Sequence, residues 1–407
     1  MAGPLTGYRV LDMSRVLAGP WAGQLLADLG ADVIKVERPK VGDDTRHWGP
    51  PYLKDATGAD TEDAAYFFSA NRGKRSLTVD ITQPEGQDII RKLASKVDVL
   101  IENYKVGGLA KYGLDYSSLE KLNPKLVYCS ITGFGQTGPY AQRPGYDFLI
   151  QGMAGLMSVT GEPDSQNGGG PTKVGVAVTD IFTGLYAANA IQGALLERHH
   201  SGMGQYIDLA LLDVQAAVMA NQASNYLIGG QIPGRLGNAH PNIVPYQAFA
   251  TLDSHIIVAV GNDQQFQRFC KAIGEPKWAD DQRYATNTAR VNNRVTLCGQ
   301  ITKHLKQQTS QYWLSKFEDH AVPCGPINTI DQVFDDPQIQ SRNMVLTMQD
   351  PRAGELRLVA NPINYSRSQI EYYLAPPQLG NQTIEILQEY LEYAETTVKV
   401  LESNDVI

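Results

Sequence analysis

Over its first 132 residues the chain alternates short apolar runs with helical patterns, and this alternation constrains the fold more than any other feature of the 407-residue sequence. Residues 8–12 (YRVLD) read as a strand, 20–29 (PWAGQLLADL) as a helix stopped by Gly30, and 32–37 (DVIKVE) as a second strand. Further strands are expected at 77–80, 97–102 and 126–131, with helices at 85–95 and 116–123 between them. Strands joined by helices pair in parallel, so the pattern predicts an α/β fold with helices on both faces of the sheet. Ligands then bind at the carboxyl ends of the strands.

The residues at that edge restrict the ligand. Glu37 ends the second strand, as in dinucleotide-binding units, but Gly19, Gly23 and Gly30 do not spell G-x-G-x-x-G, which argues against a nicotinamide enzyme. Cations gather on the same loops: Arg38, then Arg72, Lys74 and Arg75, then Lys105 and Lys111, with Arg143 behind the flexible loop 133–139 (GFGQTGP). Any one of them is most simply a solvated loop charge. Together they fit a polyanionic small ligand.

The stretch 174–190 (VGVAVTDIFTGLYAANA) delivers one carboxylate, Asp180, to the start of a helix expected over 180–197. On helix physics alone Thr179 or Asp180 is a cap, favoured there by the helix dipole; the alternative is a nucleophile presented at a helix start. A glycine-rich run at 161–171 is expected as a surface loop. Composition shifts at 229–234 (GGQIPG), which divides the chain into 1–228, a small α+β domain over 229–325, and a segment 326–407 that returns to the first domain.

The net charge of −8 leaves no general positive field for nucleic acid, and no apolar run approaches the ~18 residues of a membrane span. The N-terminal residues lack a signal-peptide pattern, so the cytoplasm is the expected compartment. Cys129, Cys270, Cys298 and Cys324 are too scattered for a metal cluster or disulfide framework, and no metal site is expected.

Several segments are recognisable together: VLDMSRVLAGPWAGQLLADLGADVIKVERP, GDDTR, NRGKRSLTVD, VDVLIENY, SITGFGQTGP, YDFLIQGMAG and VAVTDIFTGLYA. In this order they resemble the class III CoA-transferases, over about residues 4–380. The motifs RLGNAHPNIVPYQAF, VGNDQQF and VPCGPIN are similar to the succinyl-CoA:glutarate branch of that family. The resemblance implies a Rossmann-like large domain with a smaller domain, in a homodimer whose two chains interlock. It implies an aspartate nucleophile at Asp180. CoA would serve as substrate and carrier, with no other cofactor. CoA-contacting positions fall on Leu17, Ala18, Arg38, Asn71, Arg72, Gly73, Lys74, Asn103, Lys111, Arg143, Tyr146 and Asp147. The glycine-rich lid of formyl-CoA transferase is replaced by HPNIVPYQAF, which makes His240 and Tyr246, with Gly261, candidates for holding the acid substrate; His240 reads equally well as a turn histidine.

A racemase of the same family places a histidine in a G-H-D motif, but here the positions are Gly145, Tyr146 and Asp147. A phenol with a pKa near ~10 does not replace a base poised near neutrality. No G-x-S-x-G supports a serine hydrolase. A non-catalytic CoA-binding subunit is the remaining alternative, and an intact Asp180 weighs against it.

Overall fold

The structure, a computed structural model, describes residues 2–407 and groups them into two units. The first comprises residues 2–156, 174–224 and 337–407, the second residues 157–173 and 225–336. The glycine run was expected in the large domain, but it belongs to the second unit. It has no apolar side chains to lay on a sheet, and Arg235 holds it instead, donating to the Glu162 carbonyl at 3.1 Å and pairing with Asp164.

The first unit contains β1 (Arg9–Asp12), β2 (Asp32–Glu37), a hairpin of β3 (Tyr52–Lys54) and β4 (Asp60–Ala64), then β5 (Lys74–Thr78), β6 (Val99–Glu102), β7 (Val127–Thr132) and β8 (Tyr206–Ala210). Six of these form one parallel sheet in the order β5-β2-β1-β6-β7-β8. Two halves run outward from β1 and β6, as in doubly wound sheets, and the crevice between those strands is the switch point where ligands bind. Period-two alternation fills both faces: Val10, Val99, Ile101, Val127 and Cys129 enter one core, while Leu11, Leu100 and Tyr128 enter the other.

The edge strand β5 is covered by the C-terminal segment. Thr78 N–H donates to Thr383 Oγ1 and Ser76 N–H to Gln382 Oε1, both at 3.0 Å, and Ile386, Leu387 and Tyr390 complete the second core. That segment ends in two helices, Thr383–Leu391 and Glu395–Ser403, parted at Glu392 with φ +57°. The helix predicted at 116–123 is one turn, Tyr116–Leu119, and the β3/β4 hairpin has no counterpart in the sequence reading.

The helix carrying Asp180 runs Val178–Ser201 and ends at Gly202, φ +74°. It crosses the Ala18–Asp28 helix at Gly184, where a Cβ would lie 2.7 Å from the Ala18 carbonyl oxygen and 2.9 Å from the Trp21 side chain. Only glycine permits that approach, one turn beyond Asp180.

The second unit carries a three-stranded antiparallel sheet of β9 (Tyr246–Ala250), β10 (His255–Ala259) and β11 (Cys324–Pro326), in the order β11-β10-β9. Phe249, Ile256, Val258, Phe266, Phe269, Trp313 and Phe317 form its core. Among the described residues no helix is long and apolar enough to cross a membrane.

Candidate active site

A cleft of about 200 Å³ opens at the switch point of the first unit. Its walls are Arg15–Ala18 after β1, Asn103–Val106 after β6, Ile131–Gly133 at the end of β7, and residues 141–146, with Asp180 and Leu211. Gly133 and Gly145 let two of these segments touch backbone to backbone; a Cβ on Gly133 would sit 2.6 Å from the Gly145 Cα.

Asp180 is 9% exposed. Burial, and secondarily the negative charge of Asp147, push its carboxyl pKa up to about 7. Asp147, in the Asp147–Met153 helix, also does the capping that was expected of Thr179 or Asp180. Its Oδ1 accepts Thr179 N–H at 2.8 Å and Asp180 N–H at 3.2 Å, while Oδ2 accepts Gln151 Nε2 at 2.6 Å. Gln151 Oε1 in turn accepts Val174 N–H at 2.9 Å, so one helix turn holds both the approach to the Asp180 helix and its start. The Thr179 hydroxyl donates to Gln215 instead, leaving the Asp180 carboxylate without a capping task.

The sequence reading did not single out Tyr66. Burial, and after it the charges of Asp180, Asp147 and Asp43, push its phenol up to about 12, which keeps the hydroxyl a donor.

A buried carboxylate beside a cation-walled crevice, outside the carboxyl ends of a parallel sheet, has many possible chemistries, and comparison with known proteins decides among them. The model of CoA-transferase family III matches residues 5–383. The chain belongs to that family. It is 54% identical over 394 residues to the succinate–glutarate CoA-transferase of Agrobacterium fabrum, covering 97% of each chain. It is 43% identical to the human succinyl-CoA:glutarate CoA-transferase, over 99% of this chain and 90% of that one. A crystal structure of a CAIB/BAIF family protein from Brucella suis superposes with a TM-score of 0.83 at 49% identity, over 96% of this chain and 100% of that one. The chain is thus a class III CoA-transferase, and CoA is a substrate.

In this CoA-transferase the structure brings together Leu17, Ala18, Asn103, Arg143, Tyr146 and Asp180 along the cleft, with Asp147 behind Asp180. Arg143 lies over the rings of Tyr140 and Phe134, at 4.7 and 5.3 Å. Arg15 and Lys105 also line the cleft. The sequence reading did not single out Arg15, although its place three residues after β1 was the available signal.

Other expected positions lie elsewhere. Arg38 and Lys111 are exposed outside the cleft lining, Lys111 with its ammonium 4.5 Å from the Tyr112 ring. The side chains of the 71–74 segment turn inward. Lys74 is fully buried, and its three donors go to Asp12 and the Pro20 carbonyl at 2.8 Å and to Asn71 at 3.0 Å. Burial pulls the Lys74 pKa down to about 8 although Asp12 opposes the shift. Arg72 grips Asp28 with two donors, at 2.6 and 2.8 Å, and gives a third to the Val359 carbonyl. Gly73, φ +74°, gives its N–H to Leu374. Arg72 and Lys74 are therefore the counter-charges of the buried acids Asp28 and Asp12.

In the second unit His240 and Tyr246 do meet, with ring centroids 5.2 Å apart. His240 Nδ1 accepts Asn242 N–H at 3.0 Å, which is the turn-histidine arrangement. Burial, then the charge of Arg294, lower its pKa. Gly261 N–H is engaged by Gln265 Oε1 at 2.6 Å. Among the described residues no group of three or more His, Cys, Asp and Glu is placed to hold a metal.

Proposed function

We propose that this enzyme moves CoA from succinyl-CoA to a short dicarboxylic acid, glutarate or a close relative, with Asp180 as nucleophile and covalent carrier. The observation that carries the reading is Asp180 itself, nine-tenths buried at the wall of the switch-point cleft with its pKa raised to about 7. A carboxylate stripped of water and held by its backbone, not its oxygens, is available to attack a thioester. The printed activities of the Agrobacterium and human relatives support the pair of acids.

The Asp180 carboxylate adds to the succinyl thioester carbonyl and expels CoA thiolate, forming a mixed anhydride. The thiolate then attacks the Asp180 carbonyl, releasing succinate and leaving an aspartyl-CoA thioester. The acceptor carboxylate attacks that thioester to form a second anhydride, and CoA thiolate attacks its acceptor carbonyl to release the new acyl-CoA and free Asp180. No net proton or electron is gained. Water must be kept from both activated carbonyls.

Arg15, Lys105 and Arg143 are the cleft cations for the CoA phosphates, with Asn103, Leu17, Ala18 and Tyr146 as further contacts; Arg38 and Lys111 extend the positive edge. The 71–74 segment would contribute through its backbone alone. The helix of Asp180 does not supply an oxyanion hole, because the N–H groups of residues 178–181 are all engaged, by the Val176 and Ala177 carbonyls and by Asp147. His240, Tyr246 and Gly261 remain the acid-binding candidates. The reading includes a cytoplasmic homodimer. Leu227, Ile228 and Ile232, 78–88% exposed, are apolar surface that a second copy would cover. Tyr146, where the family's racemases carry histidine, gives proton abstraction no support.

The test is incubation with succinyl-CoA and a panel of dicarboxylic and monocarboxylic acids, with new acyl-CoAs read by mass spectrometry. A glutaryl-CoA product lost in Asp180→Ala supports the reading. Hydrolysis alone, or transfer that persists in Asp180→Ala, rejects it.

A further inference from the structure

Val16 has φ +72°, a left-handed backbone that β-branched residues avoid, and it lines the cleft. Nothing in its own sequence neighbourhood requires this. The cause is a buried ion pair contributed by β2 and by the loop after it. Lys35 and Asp43 lie 2.8 Å apart with side chains at 0% exposure. The Ser14 carbonyl accepts Lys35 Nζ at 3.1 Å, and Val16 N–H points between the two Asp43 oxygens at 3.3 Å from each. Between them, Arg15 N–H and carbonyl are both bound by the Asn103 side chain, at 2.9 and 2.7 Å.

The ion pair is itself anchored. Asp43 Oδ1 accepts Thr45 N–H at 3.0 Å and the Thr45 hydroxyl at 2.8 Å, and Asp43 N–H donates to Glu37 Oε1 at 3.0 Å, where Arg46 also binds. The motif GDDTR at 42–46 is thereby accounted for: Thr45 binds the Asp43 carboxylate, Arg46 binds the Glu37 carboxylate that accepts Asp43 N–H, and Asp43 reaches a different loop. Burying such a pair costs desolvation that an apolar pair of similar size would avoid, so stability alone is a poor reason for it.

Immediately after Val16 the chain enters the Ala18–Asp28 helix with Leu17 and Ala18 in the cleft wall. Glycine at 184 lets the Ala18 backbone press on the helix of Asp180. The segment that faces the nucleophile is therefore held on one side by close packing and on the other by the strained turn.

We propose that Lys35 and Asp43 are positioning residues for the transfer reaction, holding the Val16 turn so that Leu17 and Ala18 keep their place against Asp180. The inference rests on the reading of Asp180 as the nucleophile. A displaced wall costs the transition state more than it costs binding, because the reacting geometry tolerates little error.

The test is the double variant Lys35→Met/Asp43→Leu, which leaves no unpaired buried charge, alongside Asp43→Asn, with Val16→Gly added to each. The proposal expects kcat to fall on the order of 10- to 100-fold, with a smaller change in KM for the acyl-CoA, whose phosphates the cleft cations hold. Glycine adopts φ +72° without strain, so its addition should return part of the lost kcat, measured relative to Val16→Gly in the otherwise unaltered chain. Unchanged kcat in the folded double variant overturns the proposal. So does a loss matched by a fall in the fraction of folded protein or in thermal stability and unrelieved by glycine, which marks a merely structural pair. Absence of an Asp180–CoA adduct in the unaltered enzyme would instead overturn the reading of the nucleophile.

Discussion

Asp147 caps the helix of Asp180 by accepting that residue's own N–H at 3.2 Å, and from the same position its charge opposes ionisation of the Asp180 carboxyl. Asparagine at 147 keeps an oxygen for Thr179 and Asp180 N–H but removes the charge. Exchange activity should rise with pH through an inflection near 7 in the unaltered enzyme. In Asp147→Asn that inflection should move down but stay well above the ordinary carboxylate value of 3.8, because burial is the larger cause of the shift. A pH profile of single-turnover thioester formation checks it.

The same shift has a consequence for stability. Asp180 binds its proton more tightly when folded than at its ordinary value of 3.8, so the folded chain is disfavoured as pH rises from about 4 to 7 and carries the full cost above 7. Asp180→Asn should be more stable than the unaltered protein at pH 8 by roughly 2–4 kcal/mol, with the difference vanishing toward pH 4. Denaturant unfolding at the two pH values measures this. The variant should have no exchange activity at either.

Lys74 and Arg143 should behave oppositely. Removing Lys74 strands the buried carboxylate of Asp12, so Lys74→Met should lose about 3–5 kcal/mol of stability, with KM for acyl-CoA unchanged in the protein that remains folded. Arg143→Ala and Arg15→Ala should leave stability nearly intact and raise that KM roughly tenfold at low salt, less at high salt. A raised KM in Lys74→Met would restore that residue to the binding site.

Gly184→Ala places a methyl group 2.7 Å from the Ala18 carbonyl oxygen, against backbone that cannot rotate away. It should destabilise the first unit by about 1–3 kcal/mol and push the Leu17–Ala18 wall outward, lowering kcat. Thermal melting together with steady-state kinetics reads both effects.

The sequence showed the parallel sheet because strands buried on both faces are written as apolar runs, as in VLIE of β6. The carboxylate at a helix start was legible in the stretch around Asp180, and the cleft loops in their place after β1, β6 and β7. Buried charge was not legible. Lys35, Lys74 and Arg72 look in sequence like any loop or strand cation, and their partners Asp43, Asp12 and Asp28 are set by the three-dimensional course of distant segments. The cap on the Asp180 helix was misread for the same reason, since Asp147 lies 33 residues away in the chain.

The central claim is that Asp180 carries CoA covalently. Mixing the enzyme with succinyl-CoA in the absence of an acceptor, quenching in acid and mapping the peptides by mass spectrometry tests it most directly. The account predicts CoA attached to the peptide containing Asp180, released as glutaryl-CoA when glutarate is added before the quench. An unmodified Asp180 peptide accompanied by acyl exchange, or CoA found on another residue, would contradict it.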